Sequence, residues 1–196
     1  MDIEQIKRLK ALTGVGLTAA KKALSEAGGD FDKALEAMRV KGLAKADKKS
    51  EREARAGLID AYVHSGRIGV TLEVNCETDF VARTDDFKAL VHDIAMHIAA
   101  SGPRYVARED VPKADLAEET KLIQAELNNV GKPADMADEI MAGKLDKWYA
   151  EVVLLEQPFI KNPDITVGDY VKQVIAVLGE NIVVRRFSRI ELGETA

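Results

Sequence analysis

The sequence predicts an α+β protein: a small three-helix head, a charged linker, and a core in which a three-stranded antiparallel sheet packs with helices. Two changes of hydrophobic period and one change of composition carry that prediction. Apolar residues alternate with period 2 between residues 57 and 76, and a β-branched strand returns over 181–192. Between and before those stretches they recur with the 3.6-residue period of a helix. Residues 44–55, AKADKKSEREAR, hold no large apolar residue at all.

The head comes first. Ile3, Ile6, Leu9 and Leu12 fall on one face of a helix over residues 3–12, which TGVG at 13–16 ends. A second helix runs from about Thr18 to Ala27 and stops at Gly28-Gly29. Asp30 then caps a third, whose Phe31, Ala34, Leu35 and Met38 follow the i, i+3, i+4, i+7 rule and which Gly42 closes. The head is therefore drawn at 1–43, with 44–56 as an exposed helical linker and 57–196 as the core.

In the core, GLIDAYVH at 57–64 and the strict alternation of Ile68, Val70, Leu72, Val74 and Cys76 form a hairpin around a two-residue turn at Ser65-Gly66. From about Thr84 the period lengthens: Phe87, Leu90, Val91, Ile94, Ala95 and Ile98 make one helical stripe, ended by Gly102-Pro103 and expected to cover the hairpin. Residues 115–150 read as a helical hairpin broken at Gly131-Lys132-Pro133, with Leu116, Ile123, Leu127, Ile140, Met141, Leu145 and Trp148 as core candidates. QPFIKNPD at 157–164 is read as irregular. Thr166 opens a helix carrying Val167, Tyr170, Val171, Val174, Ile175 and Leu178 and stopped by Gly179, and NIVVRRFSRIEL closes the sheet. A three-stranded sheet with helices on one side leaves edges that a partner or a second copy would cover.

Composition narrows the function classes. The chain has 196 residues and a net charge of −5, with no apolar run near the roughly 20 residues that span a bilayer. A start of MDIEQIKRLK does not match a signal peptide, so the cytoplasm is the expected location and no membrane partner is expected. Residues 1–55 carry 13 Lys/Arg against 9 Asp/Glu, so the excess acid lies in the body. A mildly basic head on an acidic body suits docking onto a mixed-charge protein surface better than wrapping around phosphates.

The chemistry-bearing residues point away from catalysis. Cys76 is the single cysteine and sits on the apolar side of its strand, where a small buried hydrophobe is the simplest role. His92 and His97 stand about 140° apart on their helix, too far round to share a metal ion. No phosphate loop, nucleophile elbow or Cys–His motif occurs, and no metal or cofactor is expected. Glu77, Asp79, Asp85 and Asp86 are interrupted by apolar residues, and the last two are explained by a helix N-terminus. The residue without a role is Phe80 in NCETDFVARTDD, which belongs to neither the strand stripe nor the helix stripe. It either plugs the core beneath its loop or stands out as an aromatic anchor for a protein partner.

TGVGLTAAKKAL at 13–24, NCETDFVAR at 75–83, DIAMHIAA at 93–100 and GENIVVRRF at 179–187, in that order and over essentially the whole chain, resemble the translation elongation factor Ts family. The resemblance implies a ubiquitin-associated-type head and the activity of a guanine nucleotide exchange factor, with elongation factor Tu in its GDP form as partner and no reaction catalysed. It implies that Thr78, Asp79, Phe80 and Val81 intrude into the GTPase and dislodge its magnesium ion, which weakens GDP binding. It further implies that Leu9, Leu17, Thr18 and Lys21 dock the head and that His64, Leu178 and Gly179 make contacts of the core. The chain departs from the family at Val15, Leu17 and Thr18, where TGAG and two methionines are usual. It also has one core unit where long members have two, so a homodimer is expected to restore the pair. A peptide- or ubiquitin-binding adaptor working through the head, and an RNA binder using the 7 Lys/Arg of residues 39–55, remain as rivals. Neither gives NCETDFVAR a task.

Overall fold

A computed structural model describes residues 2–130 and 134–194. The head is three helices, α1 (Ile3–Thr13), α2 (Leu17–Glu26) and α3 (Phe31–Asp47), around a small core of Ile6, Leu9, Ala20, Ala23, Leu24, Ala34 and Met38. Asp2 caps α1 through Glu4 N–H at 3.0 Å, and Asp30 caps α3 through Lys33 N–H at 3.1 Å. Of the α1 stripe only Ile6 and Leu9 are buried, while Ile3 and Leu12 stay exposed. Three short helices present too little facing surface to cover a four-residue stripe.

The helix expected to stop at Gly42 continues to Asp47. Gly42 marks a close approach, not an end: a Cβ there would lie 3.3 Å from the Ala176 methyl on a core helix, so glycine lets two helices lie side by side. Ala46, in the segment expected to be an exposed helical linker, is 2% exposed and belongs to the main core. After Asp47 the chain turns through Lys49 N–H to Ala46 O and Arg52 N–H to Lys49 O instead of remaining helical. Lys172 pairs with Asp47 at 2.8 Å, so the start of the link is fastened to the core.

The sheet is β1 (Ala56–His64), β2 (Ile68–Cys76) and β5 (Ile182–Glu191), antiparallel in the order β1-β2-β5. Ser65 and Gly66 both have positive φ, 50° and 67°, the backbone that matches the twist of a tight hairpin. Val70, Leu72, Val74 and Cys76 point inward and are at most 2% exposed. α5 (Asp85–Ser101) lies across this face with its whole predicted stripe buried, and α8 (Val167–Leu178) packs beside it. The outer face of the sheet is open, with Ile59, Val63 and Ile190 exposed.

QPFIKNPD is not irregular. β3 (Pro158–Phe159) and β4 (Asn162–Thr166) form a second, two-stranded sheet. His97 of α5 supports it: its Nδ1 accepts from Ile160 N–H at 3.2 Å, and its Nε2 lies 2.9 Å from Gln157 Oε1. Two prolines and a missing alternation hide these strands from periodicity. α6 (Lys113–Val130) and α7 (Ala134–Val152) pair, and the predicted break at 131–133 lies outside the described residues. Ile123 and Leu127 are buried, whereas Leu116, Ile140, Met141, Leu145 and Trp148 are only half-buried. Arg108 ties α7 to the core by bonding Glu156 at 2.6 Å and Asp146 at 3.0 Å while stacking on Tyr149. Among the described residues no helix is long and apolar enough to cross a membrane, and no group of three or more His, Cys, Asp or Glu side chains is placed to hold a metal ion.

Candidate functional site

NCETDFVAR begins as the last turns of β2 and ends as one turn of helix. That turn is α4 (Asp79–Ala82), capped by Thr78, whose Oγ1 accepts from Val81 N–H at 3.4 Å. Its two halves face opposite ways. Ala82 is buried and Val81 packs on the main core, while Asp79 and Phe80 face solvent. The Phe80 ring is 79% exposed, the highest value among the exposed large hydrophobics. It plugs no core. Burying a ring of that size against a partner contributes roughly 1.5–3 kcal/mol.

Several polar groups around Phe80 have partners within the chain. Glu180, between α8 and β5, accepts from Thr78 N–H at 2.9 Å and from Thr78 Oγ1 at 2.7 Å. Asp79 pairs with Arg83 at 2.8 Å across one helical turn, a largely exposed ion pair worth well under 1 kcal/mol and readily exchanged for a partner's groups. Cys76 lies fully buried below, its thiol donating to Thr78 O at 3.1 Å. Burial, with the Glu180 charge adding to it, pushes the Cys76 thiol up, away from the reactive thiolate. His92 and His97 are separated as their spacing requires, His92 exposed beside Asp60 at 3.3 Å and His97 fully buried.

The structure brings some of the remaining predicted residues to this end of the molecule and leaves others away. Leu178 closes α8 half-buried against the core, and Gly179 follows in the left-handed conformation with φ 79°. The turn 13–16 of the head abuts that same helix end. Gly14 has φ 64°, and a Cβ there would lie 2.5 Å from a Val177 methyl, so only glycine fits. α2 starts three residues further on, with Leu17 53% exposed and Thr18 and Lys21 also exposed. Leu9 differs. It is fully buried in the head core and offers a partner no surface. His64 sits at the hairpin tip, bonded to Tyr62 Oη at 2.9 Å and about 26 Å along the strands from Cys76.

Sequence reasoning missed Glu180 and Asn181, and gave Glu77 no role. Asn181 is 2% exposed, and its backbone N–H bonds Glu77 Oε1 at 2.7 Å. The available signal was GENIVVRRF, where two polar residues stand between a helix-stopping glycine and a buried strand. With no catalytic constellation around it, an exposed aromatic on a fixed turn can act by entering another molecule.

A family model described as "Elongation factor TS" matches residues 4–194. Among curated proteins named Elongation factor Ts, that of Moorella thermoacetica is 56% identical over 190 residues, covering 96% of this chain and 94% of the relative. That of Carboxydothermus hydrogenoformans is 54% identical, covering 97% and 88%, and that of Herpetosiphon aurantiacus is 50% identical, covering 98% of both chains.

Proposed function

The chain belongs to the elongation factor Ts family and is a translation elongation factor, and from that premise we propose that it is the guanine nucleotide exchange factor of elongation factor Tu. It binds the GDP form, dislodges magnesium and opens the way for GTP. The observation that carries this reading is the exposed Phe80 ring on a turn whose capping residue, Thr78, is tied to Glu180 through its N–H and its hydroxyl. Such a ring enters a partner with little ordering cost of its own. Asp79, freed from Arg83, redirects polar groups near the partner's metal, and Thr78 and Val81 hold the two in place.

The nucleotide and its metal belong to the GTPase, so this chain makes and breaks no covalent bond. Magnesium bridges protein and phosphates, and its loss lowers GDP affinity. The coupling is reciprocal: nucleotide with magnesium expels the factor by the same free energy. Leu17, Thr18 and Lys21 dock the head, Leu178 and Gly179 add core contacts near Phe80, and His64 makes a separate contact at the hairpin tip. Leu9 supports the head from inside.

A second copy of the chain is the occupant we assign to the open sheet face, where Ile59, Val63 and Ile190 are 65–71% exposed. Sedimentation at micromolar concentration checks it, a monomer counting against the assignment. Exchange itself is tested by release of labelled GDP from elongation factor Tu. The wild type accelerates release and Phe80→Ala loses that acceleration. An unchanged release rate with wild-type protein overturns the reading.

A further inference from the structure

The turn that carries Phe80 is too short to hold itself. A four-residue helix has scarcely more than its nucleus, and an isolated turn of that length is unstable in water. What fixes it comes from the other end of the sequence. The Glu180 carboxylate takes both donors of Thr78, the backbone N–H at 2.9 Å and the hydroxyl at 2.7 Å, and Thr78 Oγ1 in turn accepts Val81 N–H. Thr78 is therefore a relay: an acceptor on one strand entry orders the cap of a turn on another.

Glu180 is held from behind. Asn181, next in sequence, is buried, and each of its hydrogen-bond donors is used. Its N–H goes to Glu77 Oε1 at 2.7 Å, and its amide Nδ2 donates to Arg52 O at 2.7 Å and Ser50 O at 3.2 Å. Arg52 reaches Glu77 at 3.5 Å, and Lys49 Nζ donates to Gly179 O. The segment 179–181 thus grips two things at once: the Phe80 turn on one side, and the turn that follows α3 on the other.

We propose that Glu180 and Asn181 are positioning residues for exchange: Glu180 locks the Phe80 turn in its inserting pose, and Asn181 fastens that lock to the chain leaving the head. The proposal rests on the exchange reading and deepens it. Neither residue has to touch the GTPase. Phe80 reaches its target only while the turn is formed, so loosening the lock lowers the fraction of bound complexes in which the ring is inserted. Docking through the head and the remaining core contacts continues.

The test is stimulated release of labelled GDP from elongation factor Tu, followed against factor concentration. That separates the maximal rate from the concentration giving half of it. Glu180→Ala is expected to lower the maximal rate about tenfold and to move the half-maximal concentration less than about twofold. Thr78→Val breaks the same relay and gives a similar loss, which Thr78→Ser largely recovers. The double variant Glu180→Ala/Thr78→Val loses less than the product of the two single losses, because both variants remove the bond between Thr78 Oγ1 and Glu180. Asn181→Ala gives a smaller loss of maximal rate, read only alongside a melting curve, since it strands two carbonyls. Glu180 and Thr78 sit near the surface, so their variants decide the matter if Asn181→Ala does not fold. A wild-type maximal rate in folded Glu180→Ala overturns the proposal and leaves exchange intact, as do additive losses in the double variant. Failure of the wild type to accelerate release is a different result and overturns the exchange reading itself.

Discussion

Two neighbouring helix starts are built from nearly the same residues and end with opposite results. Thr78-Asp79-Phe80 opens α4, and Thr84-Asp85-Asp86-Phe87 opens α5. Each threonine caps its helix by accepting the N–H three residues on, Val81 at 3.4 Å and Phe87 at 3.3 Å, and each puts an acid in the first turn. Yet Phe80 is 79% exposed and Phe87 is fully buried. One residue makes the difference. Phe80 is the second helical residue after its cap and Phe87 the third, and each step turns the side chain by about 100° around the axis. The extra Asp86 swings Phe87 onto the stripe that faces the sheet, while in the shorter start that inward position falls to Val81. The same local chemistry thus yields a core residue and a surface tool.

That contrast can be broken or sharpened by experiment. The largest effect is expected at Phe87→Ala, which leaves a cavity under α5 and costs about 3–5 kcal/mol of unfolding free energy by urea titration. A loss under about 1 kcal/mol would mean that Phe87 is not the buried member of the pair. Phe80→Ala reverses the pattern: stability stays within about 0.5 kcal/mol, while stimulated GDP release falls at least about tenfold. Next come the caps. Thr84→Ala costs ~1 kcal/mol because α5 has 17 residues to unwind, whereas Thr78→Ala costs less in stability and shows its effect in exchange. Equal costs at the two caps would erase the distinction between a structural and a presenting helix start.

The smallest effect is one of pH and belongs to the α5 side alone. Burial pushes the His97 imidazole below its ordinary value of 6.5, against a smaller upward pull from Gln157. The unfolded chain takes up a proton near pH 6.5 that the folded chain refuses, so stability is full above about pH 6.5 and declines as the pH falls toward the folded-state value. Melting midpoints at pH 7.5, 6.5 and 5.5 should show that decline, and His97→Gln should flatten it. An unaltered slope in the variant would assign the decline to other groups.

Much of this molecule was readable before its structure. Period 2 placed β1 and β2 within a residue of their ends, and the 3.6 period placed α5 and α8, because a strand or helix with one buried face must repeat its apolar residues at the period of its backbone. Cap residues marked the starts, as at Asp30 and Thr166. Where the reading failed, the deciding partner was distant. Glycine is the commonest helix stop, yet α3 runs through Gly42, and the close Ala176 methyl on a core helix gives the reason for glycine there. β3 and β4 show no alternation of their own, and the residues that flank β3, Gln157 and Ile160, are held by His97, some 60 residues earlier. Leu9, too, takes its surroundings from packing: three helices close over it in the head core.

The site divides along the same line. By itself the sequence determined that Phe80 stood outside both stripes and that four motifs resembled one family, since these depend only on residue types and their spacing. Only the tertiary structure decided that Phe80 points outward and what keeps it there. Glu180 stands about a hundred residues along the chain from Thr78, and a hydrogen bond between them exists only once β2 and β5 pair and bring the two strand ends together.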